Sequence, residues 1–424
     1  MRPPIFRTAT FFTIAFLCVL LAACGGGGGG SSSTPAPPVP PVILPPVVIG
    51  GTNQVPLVIG PGPLDASGQQ IPVVNIPYVS VTVCRPGSTT QCQTINQIQV
   101  DTGSSGLRIL ASAVSPALGL PATTATTGNP LAECVQFADG YSFGAVRQAD
   151  IYLGGEAART QSVQIVSDSA FPNVPLSCSS GLPARDTVNA YGANGVIGIS
   201  AFRQDCGNAC VISAIPGTYY TCTSSSCSAI RVPLASQVSN PIASFAVNNN
   251  GSSITLPSVP ANGATGATGT LTFGIATQAN NTLGTAQILT LDNNRVLTTV
   301  YNGRAFDGFF DSGSNGFFFF DNSIPECSTA PGFFCPLTTL NLTATNIGIN
   351  GNSNVVNFSI VNIGALFTAN PSFTAYQNIG GSLAGLFGVA DAFDWGLPFF
   401  YGRRVFTSLE GVTINGAPGP FIAY

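Results

Sequence analysis

Only 7% of this 424-residue chain is charged, and all 13 of its basic residues are arginine. Exposed helices are usually coated with Lys and Glu; here Lys and His are absent and Glu occurs four times. In their place stand 49 Gly, 33 Pro and 28 Phe, the residues of turns and strands. That composition predicts an all-β protein of many short strands, and the length suits two domains or one large two-lobed unit. It also removes whole chemistries: no Ser-His or Cys-His pair, no histidine metal site, no lysine Schiff base and no Walker-type lysine. A net charge of −4 without lysine argues against nucleic acid as a partner. What remains is chemistry by Asp, Ser, Thr, Tyr, Cys, Arg or the backbone.

The first residues read as an address. Arg2 and Arg7 flank the start of an almost wholly apolar run, Ala9 to Ala23, too short to span a bilayer and laid out as a signal peptide, residues 1–23. Leu21-Ala22-Ala23-Cys24 resembles a bacterial lipobox. The resemblance implies a diacylglycerol on Cys24, and Gly25 after it, where Asp would mark inner-membrane retention, implies the outer membrane. Residues 24–50 run through Gly, Ser and Pro and read as a tether, since such a composition cannot build a core. The membrane would be touched through the N-terminal lipid only. An ordinary secretion signal with an incidental cysteine is the alternative.

Setting Cys18 and Cys24 aside leaves ten cysteines. Close spacing pairs Cys84 with Cys92, Cys206 with Cys210, Cys222 with Cys227 and Cys327 with Cys335, leaving Cys134 for Cys178. In an exported chain these read as five disulfides, with zinc as the competing idea. No metal and no cofactor is expected.

One short loop occurs twice. Gln97-Ile98-Gln99-Val100 alternates like a half-buried strand and runs into Asp101-Thr102-Gly103-Ser104-Ser105-Gly106. Phe309-Phe310 runs into Asp311-Ser312-Gly313-Ser314-Asn315-Gly316. Two such loops facing each other would bring two carboxyl groups together. Like charges that close cannot both ionise easily, so the pair would hold one proton; the aspartic-protease dyad is the familiar example of such a pair. It can activate a water and protonate a leaving amine without histidine, metal or cofactor.

On these residues the sequence resembles the pepsin-like aspartic peptidases, and more broadly bacterial lipoproteins that carry the doubled Asp-(Thr/Ser)-Gly-Ser signature. Further matches stand in order. Phe137-Ala138-Asp139-Gly140, with Asp150 to Gly155 after it, resembles the flap hairpin. Asn194 to Ile199 resembles the strand beneath the first loop, Gly269 to Ile275 the strand at the lobe junction, and Trp395 to Phe400 the second-lobe counterpart. The resemblance implies a bilobal pepsin-like acid-protease fold, two barrel-like lobes with a central cleft, divided into 51–276 and 277–424. It implies Asp101 and Asp311 as the catalytic dyad, with Thr102 and Ser312 gripping across the lobes. Ser104 and Ser314 would bond the outer carboxylate oxygens, and Gly103 and Gly313 would let backbone approach them. Phe137, Asp139 and Gly140 would be the substrate-binding flap. The sequence departs from the pattern at Phe137 (family tyrosine), Ala138 (glycine), Arg108 (tryptophan) and Asp394 (apolar).

The expectation is therefore a monomeric, lipid-anchored endopeptidase of the cell envelope acting on peptide or protein substrates. Its rivals are a pepsin-like cell-surface binding protein without turnover and a structural surface protein of two β-sandwich modules. Phe317 to Phe320 is expected in the core, and Arg403-Arg404 in a solvated turn.

Overall fold

A computed structural model of the chain describes residues 52–223, 226–383 and 390–424. The expected signal peptide 1–23, the lipid site Cys24 and the tether 24–50 lie outside the described residues. Helix accounts for 11% and strand for 42%, so the protein is all-β, as its shortage of helix-coating residues predicts.

Six strands of the first half close on themselves. In hydrogen-bonded order they are Pro77–Cys84, Cys92–Asp101, Gly195–Ile199, Ser105–Leu110, Glu156–Val166 and Gly140–Leu153, the last returning to Pro77–Cys84. The sheet continues from Pro77–Cys84 through Gln54–Ile59, Ala267–Phe273 and Gly251–Thr255 to the C-terminal strands Arg404–Ser408 and Phe421–Ala423. The end of the chain thus pairs with the first half. A second, seven-stranded sheet is built around Arg304–Asp311.

Local sequence explains how that strand is delivered. Leu297–Tyr301 and Arg304–Asp311 alternate buried and accessible residues. Tyr301 pairs with Arg304 across a two-residue turn, Asn302-Gly303, both at positive φ (49° and 74°). Asn-Gly is the dipeptide such a turn favours, because its twist matches that of the flanking strands. The turn fixes the register that carries Asp311 to the strand end.

The second sheet encloses an aromatic core. Phe319 stacks on Phe393 at 4.8 Å, and Trp395 lies between Phe310 and Phe317. Each buried ring contributes about 2–3 kcal/mol. Trp395 Nε1 donates to Thr299 Oγ1 (3.1 Å) and Asn346 Oδ1 (3.0 Å), so its polar edge is satisfied. Phe317, Phe318 and Phe319 are buried, as expected of core packing. All five expected disulfides form.

Three expectations need correction. Ile98, Gln99, Val100 and Asp101 are all buried, where the alternation predicted a half-buried strand. The strand is central, flanked by Pro77–Cys84 and Gly195–Ile199, and both of its faces are covered. The counterpart of the Gly195–Ile199 strand is Ala392–Gly396; the residues after it, Leu397–Phe400, form a 3-10 turn. Arg403 and Arg404 are half-buried rather than solvated. Arg403 covers Phe399 (4.6 Å to the ring centroid) and Arg404 opens a strand over Phe406.

Candidate active site

The two Asp loops stand in the same hydrogen-bonded setting. Asp101 ends Cys92–Asp101, which runs parallel to Gly195–Ile199 with Asp101 opposite Gly198. Asp311 ends Arg304–Asp311, which runs parallel to Ala392–Gly396 with Asp311 opposite Gly396. In both halves the chain then turns and comes back antiparallel to that same partner: Leu107 opposite Ile197, Phe317 opposite Trp395. The repeat in sequence is a repeat in pairing.

The loops meet. Thr102 Oγ1 donates to Phe310 O (2.8 Å) and accepts from Ser312 N (2.9 Å). Ser312 Oγ donates to Val100 O (2.8 Å) and accepts from Thr102 N (3.1 Å). These four reciprocal bonds are buried, so each hydroxyl is fully used and the loops are fixed in register. Gly103 and Gly313 are required by proximity: a Cβ on Gly103 would lie 2.7 Å from Asp311 Cγ, and one on Gly313 would lie 2.9 Å from Asp101 Cγ. The carboxyl groups of Asp101 and Asp311 thus stand side by side: the same point beside Gly313 lies 2.9 Å from Asp101 Oδ1 and 3.0 Å from Asp311 Oδ1.

Backbone and hydroxyl donors hold each carboxyl. Gly103 N (2.7 Å) and Ser104 N (3.2 Å) donate to Asp101 Oδ1, and the Ser104 hydroxyl donates to Oδ2. Gly313 N donates to Asp311 Oδ1 (2.7 Å) and Ser314 Oγ to Oδ2 (3.0 Å). Desolvation, then the charges of Asp101 and Asp394, push the Asp311 carboxyl well above the usual carboxylate range. A group so placed keeps a proton where an exposed aspartate has lost it. The arrangement can therefore hold one acid and one carboxylate side by side.

The hairpin expected as a flap is present, with strands Leu131–Phe137 and Gly140–Leu153. Phe137 packs edge-on to Tyr191 (6.4 Å) in a cluster that includes Tyr78 and Val196. Asp139 pairs with Arg185 (2.6 Å), whose guanidinium also covers Phe137. Gly140 lies close against Pro183, whose carbonyl accepts from Tyr141 N (3.0 Å). Disulfide Cys134–Cys178 ties the hairpin base to a neighbouring helical turn.

Several residues of the site were not foreseen. Arg108 is fully buried, donating to Ser105 O (2.7 Å), Glu133 (2.5 Å) and Asp205 (3.3 Å), so it joins the first Asp loop to the hairpin. Tyr219 donates to Asp205 from the other side (2.7 Å). Gln99 Nε2 donates to Gly313 O (2.9 Å) and Asn75 Nδ2 to Asn315 O (2.8 Å), both bracing the second loop. Glu133 carried a usable signal: one of four glutamates, set in an apolar strand. Asp394 is buried beside Asp311. Among the described residues no group of three or more potential metal ligands converges.

Fold and site together define an all-β protein with two neighbouring aspartates on duplicated loops. The chain belongs to the family described as "Protein of unknown function (DUF3443)", which it matches over residues 51–424. No curated protein matches its sequence.

Proposed function

We propose that this protein is an aspartic-type endopeptidase of bilobal pepsin-like fold, with lobes 51–276 and 277–424 facing each other across a cleft. The observation that carries the reading is the side-by-side placement of Asp101 and Asp311, each against the other loop's glycine, on loops gripped by Thr102 and Ser312. A water held between the carboxyl groups attacks the scissile carbonyl carbon. Its proton passes to the ionised carboxylate as the other carboxyl protonates the carbonyl oxygen; on collapse the C–N bond breaks and the amine leaves with a proton. The Phe137–Gly140 hairpin covers the substrate. Lipid on Cys24 would hold the enzyme at the outer membrane as a monomer with a peptide or protein substrate.

A second reading, a pepsin-like binding protein without turnover, is favoured by one observation: Phe137 brings no hydroxyl to the hairpin, whose tip is held by Arg185. A mixed peptide library, assayed from acidic to neutral pH with and without pepstatin, separates the two. Pepstatin-sensitive cleavage that vanishes in both Asp101→Asn and Asp311→Asn is the expected result. Full activity in either variant would remove the mechanism; no turnover at any pH, with clean peptide binding, would select the binding protein.

A further inference from the structure

Asp394 occupies an unusual place. It lies in Ala392–Gly396 between Phe309 on the parallel neighbour and Phe318 on the antiparallel one, two residues before the Gly opposite Asp311. It is 3% exposed, and among the described residues its Oδ1 has no hydrogen-bond partner. Ser314 stands at the end of this strand: its carbonyl lies against Gly396 and accepts from Leu397 N (2.8 Å), and its hydroxyl donates to Asp311 Oδ2 at 3.0 Å. The charged groups that act on Asp394 are acids: Asp101 from the first loop and Asp311 from the adjoining strand. The facing strand presents Phe318, and residues 384–389 contain no ionisable side chain.

The duplicated pairing supplies an internal comparison. Arg108 stands opposite Val196 in the first half, and Phe318 opposite Asp394 in the second. Each cross-strand pair holds one charge and one apolar residue, on opposite strands. Arginine cannot give up its charge, and two carboxylates compensate Arg108. Among the described residues no cation pairs with Asp394, and an acid so buried avoids the cost of burying charge by keeping its proton.

A hydroxyl has one proton to give. If Asp394 and Asp311 were both carboxylates, Ser314 could serve only one and would turn a lone pair toward the other. We propose that Asp394 is a positioning residue for the pair: as the neutral acid it donates to Ser314 Oγ, which commits the serine proton to Asp311 Oδ2. This rests on the reading of Asp101 and Asp311 as a proton-sharing pair. The chain Asp394–Ser314–Asp311 then has a single direction, and Asp311 keeps its inner oxygen for Asp101.

The test is a carboxyl 13C titration of the full chain labelled at aspartate Cγ, in the wild type, Asp394→Asn and Asp394→Val. In the wild type the Asp394 signal should stay at the protonated position at pH 6–7, where an ordinary aspartate has already titrated; ionisation in the ordinary aspartate range overturns the proposal. The amide of Asp394→Asn still donates to Ser314, so the Asp311 midpoint should stay within about 0.3 pH units. Asp394→Val, which copies Val196, should raise it by roughly one unit, the worth of one lost hydrogen bond. Equal midpoints in the two variants would overturn the positioning role. Kinetics adds a separate readout: kcat falls roughly tenfold in Asp394→Val and less than about threefold in Asp394→Asn, with KM unchanged. If the wild type cleaves no peptide, the peptidase reading fails while the titration still decides the role of Asp394. If Asp394→Val does not fold, the wild-type signal decides it alone.

Discussion

Replacing Arg108 by methionine removes the one cation from a buried cluster that holds two acids. Arg108 and Glu133 are fully buried, and Asp205 is largely so. Breaking a buried ion pair by deleting one partner costs about 3–5 kcal/mol, because the remaining charge is stranded in a poor solvent. Asp205 already lies well above the usual carboxylate range, first through desolvation and next through the charge of Glu133; without Arg108 the folded variant must hold an additional proton. The sign then follows. The folded variant binds more protons than its unfolded chain above pH 4, so its stability falls as pH rises. Urea unfolding of wild type and Arg108→Met should differ by about 3–5 kcal/mol at pH 7, and the difference should shrink toward pH 5 by about 1.4 kcal/mol per pH unit for each proton taken up. The triple variant Arg108→Met, Glu133→Leu, Asp205→Asn removes the stranded charge and keeps an acceptor for Tyr219, so it should return to within about 2 kcal/mol of wild type. A single-variant loss below about 1 kcal/mol at pH 7, or one that is flat from pH 5 to 8, would refute the account of Arg108 as a charge held only by its acids.

Three further outcomes are expected. Gly103→Ala puts a methyl 2.7 Å from Asp311 Cγ; it should cost about 1–3 kcal/mol in urea unfolding and shift the Asp311 carboxyl titration. Removing Cys134–Cys178, which closes 44 residues, should cost about 4 kcal/mol by loop-closure entropy, read as a lowered Tm, with faster proteolysis within the Leu131–Leu153 hairpin. Asp394→Asn should gain Tm relative to wild type as pH rises from 4 toward 8, since native Asp394, raised by burial, retains a proton that the unfolded chain releases.

What could be read in the sequence was local or repeated. The Asp loops announce themselves by repetition, and their Gly and hydroxyl residues have roles that follow from size and hydrogen-bonding capacity. The disulfides follow from spacing, and Asn302-Gly303 is a turn by its own chemistry. What escaped depends on contacts between segments far apart in the chain. Arg108 meets Glu133 and Asp205, 25 and 97 residues away, and no periodicity marks such a meeting. The Ile98–Val100 segment alternates in polarity yet is buried on both faces, with Gln99 satisfied by a bond to Gly313 across 214 residues. Arg403 looked solvated because arginine pairs often are; the ring of Phe399 beneath it decides otherwise.

The loops are duplicated, but the ground beneath them is not, and this makes the two aspartates inequivalent. Under the first loop lies a cation with two acids; under the second lies an acid with no cation paired to it among the described residues. Desolvation first, and then the neighbouring acid Asp101, disfavour the charged form of Asp311. A pair of like acids titrates as a unit, yet its shared proton settles where the potential is more negative. On the proposed reading that is the Asp311 side, where two donors reach the carboxyl against three at Asp101. A chain poor in charge can set such a bias with backbone and hydroxyl donors, since one hydrogen bond in a dry interior outweighs many charges on a wet surface.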